Sequence, residues 1–164
     1  MLRSMLLQTI ASRTLAAFTV GLLLALAVKA TAASAADGLI KIKSPYSVKE
    51  TANKVAAIAS RKGLKLFSRF DHQKSASGEN MRLRSTEVIV FGNPKVETPL
   101  IQCAQTAAID MPQKMLIMED IAGTVWVAYT DTDYLAQRHH IKNCKETLAK
   151  LSDTLSAIAS AAVK

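Results

Sequence analysis

Segments with the pattern of β-strands alternate with segments of helical pattern along most of this chain, and this order constrains its fold more than any other feature. Short, mostly apolar runs with strand character lie at Gly38–Lys43, Leu64–Asp71, Thr86–Phe91, Lys114–Glu119 and Thr124–Thr130. The sequence Ile121-Ala122-Gly123 between the last two runs indicates a hairpin. Hairpins mixed with helices predict an α+β fold of two layers, in which helices cover one face of a mainly antiparallel or mixed sheet.

Capping residues mark the first helices. Ser47 and Glu50 form a capping-box pattern, and Gly63 is expected to end the helix that begins there. A polar segment, Gln73–Asn80, has room for one short helical turn. Thr98, followed by Pro99, predicts the start of a further helix that runs to about residue 107.

Two more helices are predicted after the hairpin. Thr132 or Asp133 is expected to cap a helix that carries residues 134–141, and Asn143 with Glu146 to begin a last, amphipathic helix over residues 144–162. Apolar side chains recur in that helix every three or four positions, at Cys144, Leu148, Leu151, Leu155 and Ile158. Such a single apolar stripe either covers the sheet or packs against a second copy of the chain.

The first 35 residues have the features of a secretory signal peptide. Arg3 and Arg13 supply positive charge, Leu15–Val28 is an apolar run of 14 residues, and Ala33-Ser34-Ala35 is a small-x-small cleavage site. The run is shorter than a typical membrane span, although an uncleaved anchor is the alternative. We therefore expect cleavage near Ala35, a periplasmic or secreted product without a stable membrane anchor, and one domain over residues 36–164.

The charge balance excludes one class of partner. The chain has 21 Lys and Arg and 13 Asp and Glu; 18 of the basic residues and all the acidic ones follow residue 35, which leaves that part with a net charge of +5. No block of five or six like charges occurs, and aromatic residues make up 5% of the chain. Nucleic-acid binding is therefore not expected, because both a basic patch and a stacking surface are missing from the sequence.

A series of short, distinctive motifs follows in order along the chain. They are Asp71-His72, Phe91-Gly92-Asn93-Pro94, Thr98-Pro99-Leu100, Asp110-Met111-Pro112, Lys114, Glu119-Asp120, Gly123, Trp126, Tyr129, Leu135-Ala136 and Arg138-His139. Together these motifs resemble domain-of-unknown-function family 302 (DUF302). The resemblance covers the core from Leu39 to Ile141 and implies a compact two-layer α/β domain in a family where dimers occur. It implies no substrate, cofactor or catalytic residue. The sequence departs from the family pattern at Val96-Glu97, where the family tends to have a glycine.

Six residues within these motifs are candidates for a ligand-binding site: Asp71, His72, Asn93, Glu119, Arg138 and His139. A carboxylate beside an imidazole can orient and charge it, which is the minimum needed for acid–base chemistry near neutral pH. Backbone amides at Gly92 and at a helix start after Thr98 could hold an anion. The structural alternative is that Asp71 caps a turn, Arg138 pairs with Glu119 or Asp120, and His139 satisfies buried backbone groups.

Metal binding and redox chemistry are weaker hypotheses. Potential metal ligands are present at His72, His139, His140, Glu119, Cys103 and Cys144. The methionines Met111, Met115 and Met118 suggest copper(I) as the bound metal, because thioether ligands favour it. No pair of these residues has the local spacing of a zinc site. Cys103 and Cys144 are expected to form a disulfide in an exported protein; two buried thiols or a redox pair are the alternatives.

The leading functional hypothesis is a non-enzymatic module that binds a small ligand or a periplasmic protein, as a homodimer. The alternatives are a small enzyme that uses a His/carboxylate acid–base pair, and a metal-binding periplasmic protein. The sequence identifies no cofactor.

Overall fold

The computed structural model describes residues 37–164, and the predicted signal peptide lies outside the described residues. Five strands alternate with five α-helices and one 3-10 helix. In chain order they are β1 (Leu39–Ser44), α1 (Val48–Arg61), β2 (Lys65–Asp71), α2 (His72–Gly78), β3 (Thr86–Gly92), α3 (Pro94–Cys103), the 3-10 helix (Gln105–Asp110), β4 (Gln113–Glu119), β5 (Val125–Thr130), α4 (Thr132–Arg138) and α5 (Lys145–Ala162).

The strands form one sheet in the order β1-β5-β4-β3-β2, and every neighbouring pair is antiparallel. The predicted α+β fold is thus confirmed, and the sheet is antiparallel throughout. β4 and β5 form the predicted hairpin, and β1 returns to the free side of β5. β3 lies between β2 and β4, in the interior of the sheet.

The core lies between one face of the sheet and the helices α1 and α5. Side chains that alternate along β3, β4 and β5 point into it, and they meet the apolar stripes of the two helices. Its fully buried members include Ile89, Phe91, Met115, Ile117, Val127, Val55, Leu155 and Ile158. Burying a side chain of this size stabilises the fold by about 1.5–3 kcal/mol relative to leaving it exposed.

The predicted cap of α1 and the predicted apolar stripe of α5 are both present in the structure. The Ser47 side chain accepts a hydrogen bond from the Glu50 amide at 3.2 Å, and α1 ends just before Gly63, whose φ of +75° suits glycine. In α5, Leu148, Leu151, Leu155 and Ile158 are all buried, as the stripe predicts. They pack against α1 and the sheet of the same chain, so this stripe does not offer a surface for a second copy.

The start of α3 was predicted wrongly. The helix begins at Pro94, and the side chain of Asn93, rather than of Thr98, caps it by accepting a hydrogen bond from the Lys95 amide at 2.9 Å. Asn93-Pro94 is an equally good cap and first-turn pair that comes earlier in the chain. Pro99 then lies inside the helix, which ends at Cys103 rather than near residue 107.

Two further caps differ from the predictions. Asp131 caps α4, because its side chain accepts a hydrogen bond from the Asp133 amide at 3.0 Å; neither Thr132 nor Asp133 is the cap. At α5 the capping position is Cys144 rather than Asn143, and it makes no side-chain capping bond. Among residues 37–164, no helix is long and apolar enough to cross a bilayer.

Candidate functional site

The six residues predicted to line a site lie at opposite ends of the sheet. Asp71 is paired with Glu87 at the start of β3, and β4 reaches that same end just before Glu119. Asn93 follows the other end of β3. That strand spans seven residues, so its ends lie about 20 Å apart at ~3.4 Å per residue. The residues therefore do not converge on one cleft. His139 contacts Asp110, which lies just before the end of β4 that pairs with Phe91, so His139 is at the Asn93 end of the sheet and away from His72.

Asp71 and His72 have local roles. The Asp71 side chain caps α2 by accepting a hydrogen bond from the Lys74 amide at 2.8 Å. His72 is exposed and stacks on the ring of Phe70, with the ring centres 6.4 Å apart. This pair fits the structural alternative, in which the carboxylate begins a helix rather than orienting an imidazole.

Glu119 and its neighbour Asp120 belong to the β4–β5 hairpin. The Glu119 backbone amide donates to the Ser85 carbonyl at 2.9 Å, and its carbonyl accepts from Arg84 Nε at 3.3 Å. The Asp120 carboxylate accepts from the Trp126 indole at 2.8 Å and from the backbone amides of residues 122 and 124. The hydrogen bond from Trp126 makes the largest contribution to lowering the pKa of Asp120, and the hydrogen bonds from the backbone amides add to it. This turn residue is therefore kept charged.

Arg138 and His139 meet a residue that the sequence prediction did not include. His139 Nε2 lies 2.5 Å from Asp110 Oδ2, its Nδ1 lies 3.1 Å from Thr106 Oγ1, and Arg138 lies 3.6 Å from Asp110 Oδ1. The expected pairing of Arg138 with Glu119 or Asp120 was wrong. The His139 side chain is only 4% exposed, and both of its ring nitrogens contact side chains of the protein. This cluster therefore joins α4 to the 3-10 helix.

A cavity of about 260 Å³ lies at the same end of the sheet as Asn93, beneath α3 and α5. Its walls combine five apolar side chains, five polar or charged side chains and Gly92. The lining residues are Lys62, Leu64, Phe91, Gly92, Asn93, Val96, Glu97, Gln113, Leu151, Thr154 and Leu155. Asn93 is the one predicted site residue that lines it.

Glu97 places a carboxylate inside this cavity. Its Oε1 atom is buried and has no hydrogen-bond partner, the one such side-chain atom among residues 37–164. The carboxylate lies over Gly92, where a methyl group would overlap it. Gly92 does not have a left-handed φ, so this close approach, rather than a turn, requires glycine. The position considered for a bound anion is thus taken by the protein's own carboxylate.

The environment of Glu97 favours its neutral form. Burial raises the pKa of the Glu97 carboxyl above its ordinary value of 4.5. The backbone amides of Gln113 and Asn93 and the positive charge of Lys114 lower the pKa and offset this effect only in part. Lys114 forms no ion pair with Glu97, because its ammonium donates to the backbone carbonyls of Asp110 and Pro112 at 3.3 and 3.0 Å. Among residues 37–164, no ion pair joins Glu97 to a basic side chain.

The raised pKa predicts how Glu97 affects stability with pH. The folded state binds this proton more tightly than the unfolded state, so the stability that it contributes below pH 4.5 is lost as the pH rises through the folded pKa. We expect Glu97→Gln, which stays neutral, to equal the wild type in acid and to exceed it at pH 8 by only about 0.5 kcal/mol, because solvent screens the charge of a partly exposed carboxylate. Urea unfolding across this range measures the difference.

Glu79→Gln is the matched control, because Glu79 is exposed at the end of α2. It should follow the wild type at every pH. A constant difference between Glu97→Gln and the wild type would contradict the prediction.

Two remaining predictions concern metals and cysteines. Within residues 37–164, no group of three or more His, Cys, Asp or Glu side chains is arranged to hold a metal ion. Met115 is fully buried in the core, and Met111 accepts a hydrogen bond from Gln113 Nε2.

Cys103 and Cys144 are joined as a disulfide, with Cα atoms 6.4 Å apart, which connects the end of α3 to the start of α5.

These features define a small α+β domain with a ligand-sized cavity at one end of its sheet. The sequence model described as "Domain of unknown function DUF302" matches residues 40–158. The chain therefore belongs to the DUF302 family, which confirms the resemblance found in its motifs.

The chain is also similar in sequence or in fold to other proteins. Over 105 residues the chain is 41% identical to the "Fluoride-specific ion channel FluC 1" of Brucella suis biovar 1 (strain 1330) and to that of Brucella abortus biovar 1 (strain 9-941). The match covers 64% of this chain and 41% or 39% of those proteins, so the chain spans about two fifths of these relatives. A crystal structure of an uncharacterized conserved DUF302 protein from Bacillus stearothermophilus has the same fold, with a TM-score of 0.69 at 12% identity, covering 77% of this chain and 98% of that one.

Proposed function

We propose that this protein is a non-enzymatic module that binds a small organic ligand in the cavity beside Gly92 and Glu97. The observation that carries the proposal is the cavity of about 260 Å³ at the Asn93 end of the sheet, whose walls combine apolar and polar side chains. Small-molecule sites are concavities of this kind, in which apolar walls supply contact area and a few polar groups fix the orientation of the ligand.

The shape and lining of the cavity support a small-molecule ligand. Phe91, Leu151 and Leu155 provide an apolar wall, and Asn93 and Thr154 provide polar atoms near it. All of these residues lie on the sheet, on helices or at a helix cap, so the walls are set by the fold itself. A volume of about 260 Å³ is just below the ~300–1,000 Å³ range of typical ligand pockets, which limits the cavity to a small ligand.

The arrangement of His139 argues against the enzymatic alternative. A general base needs a ring nitrogen within hydrogen-bond reach of the substrate. Both nitrogens of His139 already contact Asp110 and Thr106, and the side chain is buried. The other site histidine, His72, lies at the opposite end of the sheet, where it stacks on Phe70 while the neighbouring Asp71 carboxylate caps α2.

The name of the Brucella relatives raises fluoride as a possible ligand, and the cavity does not favour it. Fluoride is an anion, and the unpartnered oxygen of Glu97 would repel it at short range in an apolar environment. We therefore do not extend that specificity to this cavity.

We also propose that the protein works outside the cytoplasm. The charge and hydropathy pattern of residues 1–35 supports export. The Cys103–Cys144 disulfide is typical of a protein in an oxidising compartment. Cell fractionation with an antibody against the chain would test this, and recovery of the protein with cytoplasmic markers would contradict it.

Binding of 1-butanol tests the proposed cavity site. Saturation-transfer NMR with the full-length chain should detect weak binding of this neutral probe. Thr154→Phe, which places a ring in the cavity, should abolish it. Ala157→Phe lies on the exposed side of the same helix and should leave it unchanged. Absence of binding, or equal loss in both variants, would refute the proposal.

A further inference from the structure

A second concavity is an open groove of about 460 Å³ between the 3-10 helix and the end of α4. It shares no lining residue with the cavity beside Gly92. His139 is the buried residue of its lining, and the other five residues are exposed, so a bound molecule can reach them from solvent. The lining residues are Gln105, Thr106, Ile109, Arg138, His139 and His140.

The polar side chains of the groove present hydrogen-bond donors that the protein does not use. Within residues 37–164, the side chains of Gln105, Arg138 and His140 make no hydrogen bond. Arg138 contacts Asp110 Oδ1 at 3.6 Å, which is too long for a hydrogen bond. A guanidinium group has five N–H donors and a glutamine amide has two. The groove therefore has a surplus of donors that a ligand rich in oxygen atoms would satisfy.

The charge around the groove favours an anion. No acidic residue lines it. Asp110, which lies next to the lining, has its Oδ2 atom 2.5 Å from the buried His139 Nε2. The ammonium group of Lys114 donates to the Asp110 carbonyl at 3.3 Å. Arg138 and Lys114 thus place two positive charges around the one negative charge of Asp110, and an anion entering from solvent meets Arg138 first.

The His139 contacts hold the groove in shape. The imidazole joins Asp110 to Thr106, whose Oγ1 atom is 3.1 Å from His139 Nδ1, so the end of α4 is fixed against the 3-10 helix. The backbone amides of residues 139–141 donate to three carbonyls in the last turn of α4. These carbonyls are therefore satisfied and do not oppose an anion as free acceptors at the helix end.

We propose that this groove is a second ligand site, and that it binds a phosphate monoester. The terminal phosphate oxygens would accept hydrogen bonds from Arg138, Gln105 and His140. Three donor residues match the three terminal oxygens of a phosphate monoester better than the two oxygens of a carboxylate. Ile109 is 73% exposed on the same wall, so it offers an apolar surface to the organic group of the ester. This site is additional to the cavity of the proposed function.

The experiment compares phenyl phosphate, inorganic phosphate and benzoate with the full-length chain at pH 8. Isothermal titration calorimetry should show that the wild type binds phenyl phosphate about threefold or more tightly than inorganic phosphate, and about tenfold or more tightly than benzoate. Arg138→Gln should weaken the binding of phenyl phosphate about tenfold or more. Arg82→Gln is the matched control, because Arg82 is exposed before β3 at the opposite end of the sheet, and it should bind as the wild type does.

Two further variants test the other contacts. His140 has a left-handed φ of +53°, which asparagine also adopts, so His140→Asn should fold even if Arg138→Gln does not. It should weaken the binding of both phosphates about threefold. Ile109→Ser should lower the affinity for phenyl phosphate to that for inorganic phosphate, whereas Ile121→Ser, on the exposed hairpin, should not.

The possible outcomes separate the parts of this proposal. Benzoate binding as tight as that of phenyl phosphate would overturn the assignment to phosphate. Inorganic phosphate binding as tight as that of phenyl phosphate would overturn the assignment to an ester. Absence of phosphate binding, or an equal loss in Arg138→Gln and Arg82→Gln, would overturn the site itself. None of these results bears on the binding of 1-butanol in the other cavity, because the two concavities have no lining residue in common.

Discussion

Replacement of both Cys103 and Cys144 by serine is expected to lower the free energy of unfolding by about 4 kcal/mol. The disulfide joins residues separated by 41 positions, and a cross-link over a loop of this length reduces the entropy of the unfolded chain by that amount in the chain-entropy model. This is a large share of the ~5–15 kcal/mol that stabilises a typical domain. Urea unfolding of the oxidised wild type and of the double variant measures the difference.

The position of the bridge adds a second expectation. It connects α3, which carries Val96 and Glu97, to α5, which carries Leu151 and Thr154, so it holds two walls of the cavity together. We therefore expect the double variant to bind 1-butanol more weakly than the wild type. Dithiothreitol should destabilise the wild type as much as the substitutions do, and should leave the double variant unchanged. A loss below 1 kcal/mol would contradict the structural role of the disulfide.

Leu155→Ala is expected to cost about 2–5 kcal/mol and to enlarge the cavity. Leu155 is completely buried in α5 and forms part of the cavity wall, so truncation removes apolar contacts and leaves extra volume. The enlarged cavity should accept a longer probe, and 1-hexanol should bind the variant more tightly relative to 1-butanol than it binds the wild type. Urea unfolding and saturation-transfer NMR provide the two measurements.

Leu148→Ala is the matched control for this second prediction. Leu148 belongs to the same apolar stripe and is buried, but it does not line the cavity. Its truncation should destabilise the protein without changing the relative affinity for the two alcohols. If both variants changed that ratio equally, Leu155 would not border the ligand site.

Some elements were predictable because their causes are local. The Ser47 cap needs only the amide of Glu50 three residues later, and the α5 stripe needs only a regular spacing of leucines. The start of α3 shows the limit of such signals. Asn93-Pro94 and Thr98-Pro99 both have the composition of a helix start, and the local sequence does not decide between them.

The candidate site was even harder to predict from local sequence signals than the start of α3. A glutamate in a helix is normally solvated, so Glu97 gave no signal of function in the sequence beyond its departure from the family pattern. The residue is partly buried, and its Oε1 atom fully so, because the end of β3 and the helix α5 meet α3 at this point. Asp110 and His139 are likewise 29 residues apart, and no periodic pattern connects them.

The sequence by itself determined the family, the α+β class and the buried face of the last helix. The family follows from the order of the motifs. The fold class and the buried face follow from the periodicity of apolar residues over short segments, which is set by backbone geometry. Only the tertiary structure decided which polar side chains meet. It placed His72 and His139 at opposite ends of the sheet, and it enclosed Glu97 beside Gly92. Such contacts join residues distant in the chain, and their energies depend on burial that arises only when the layers pack.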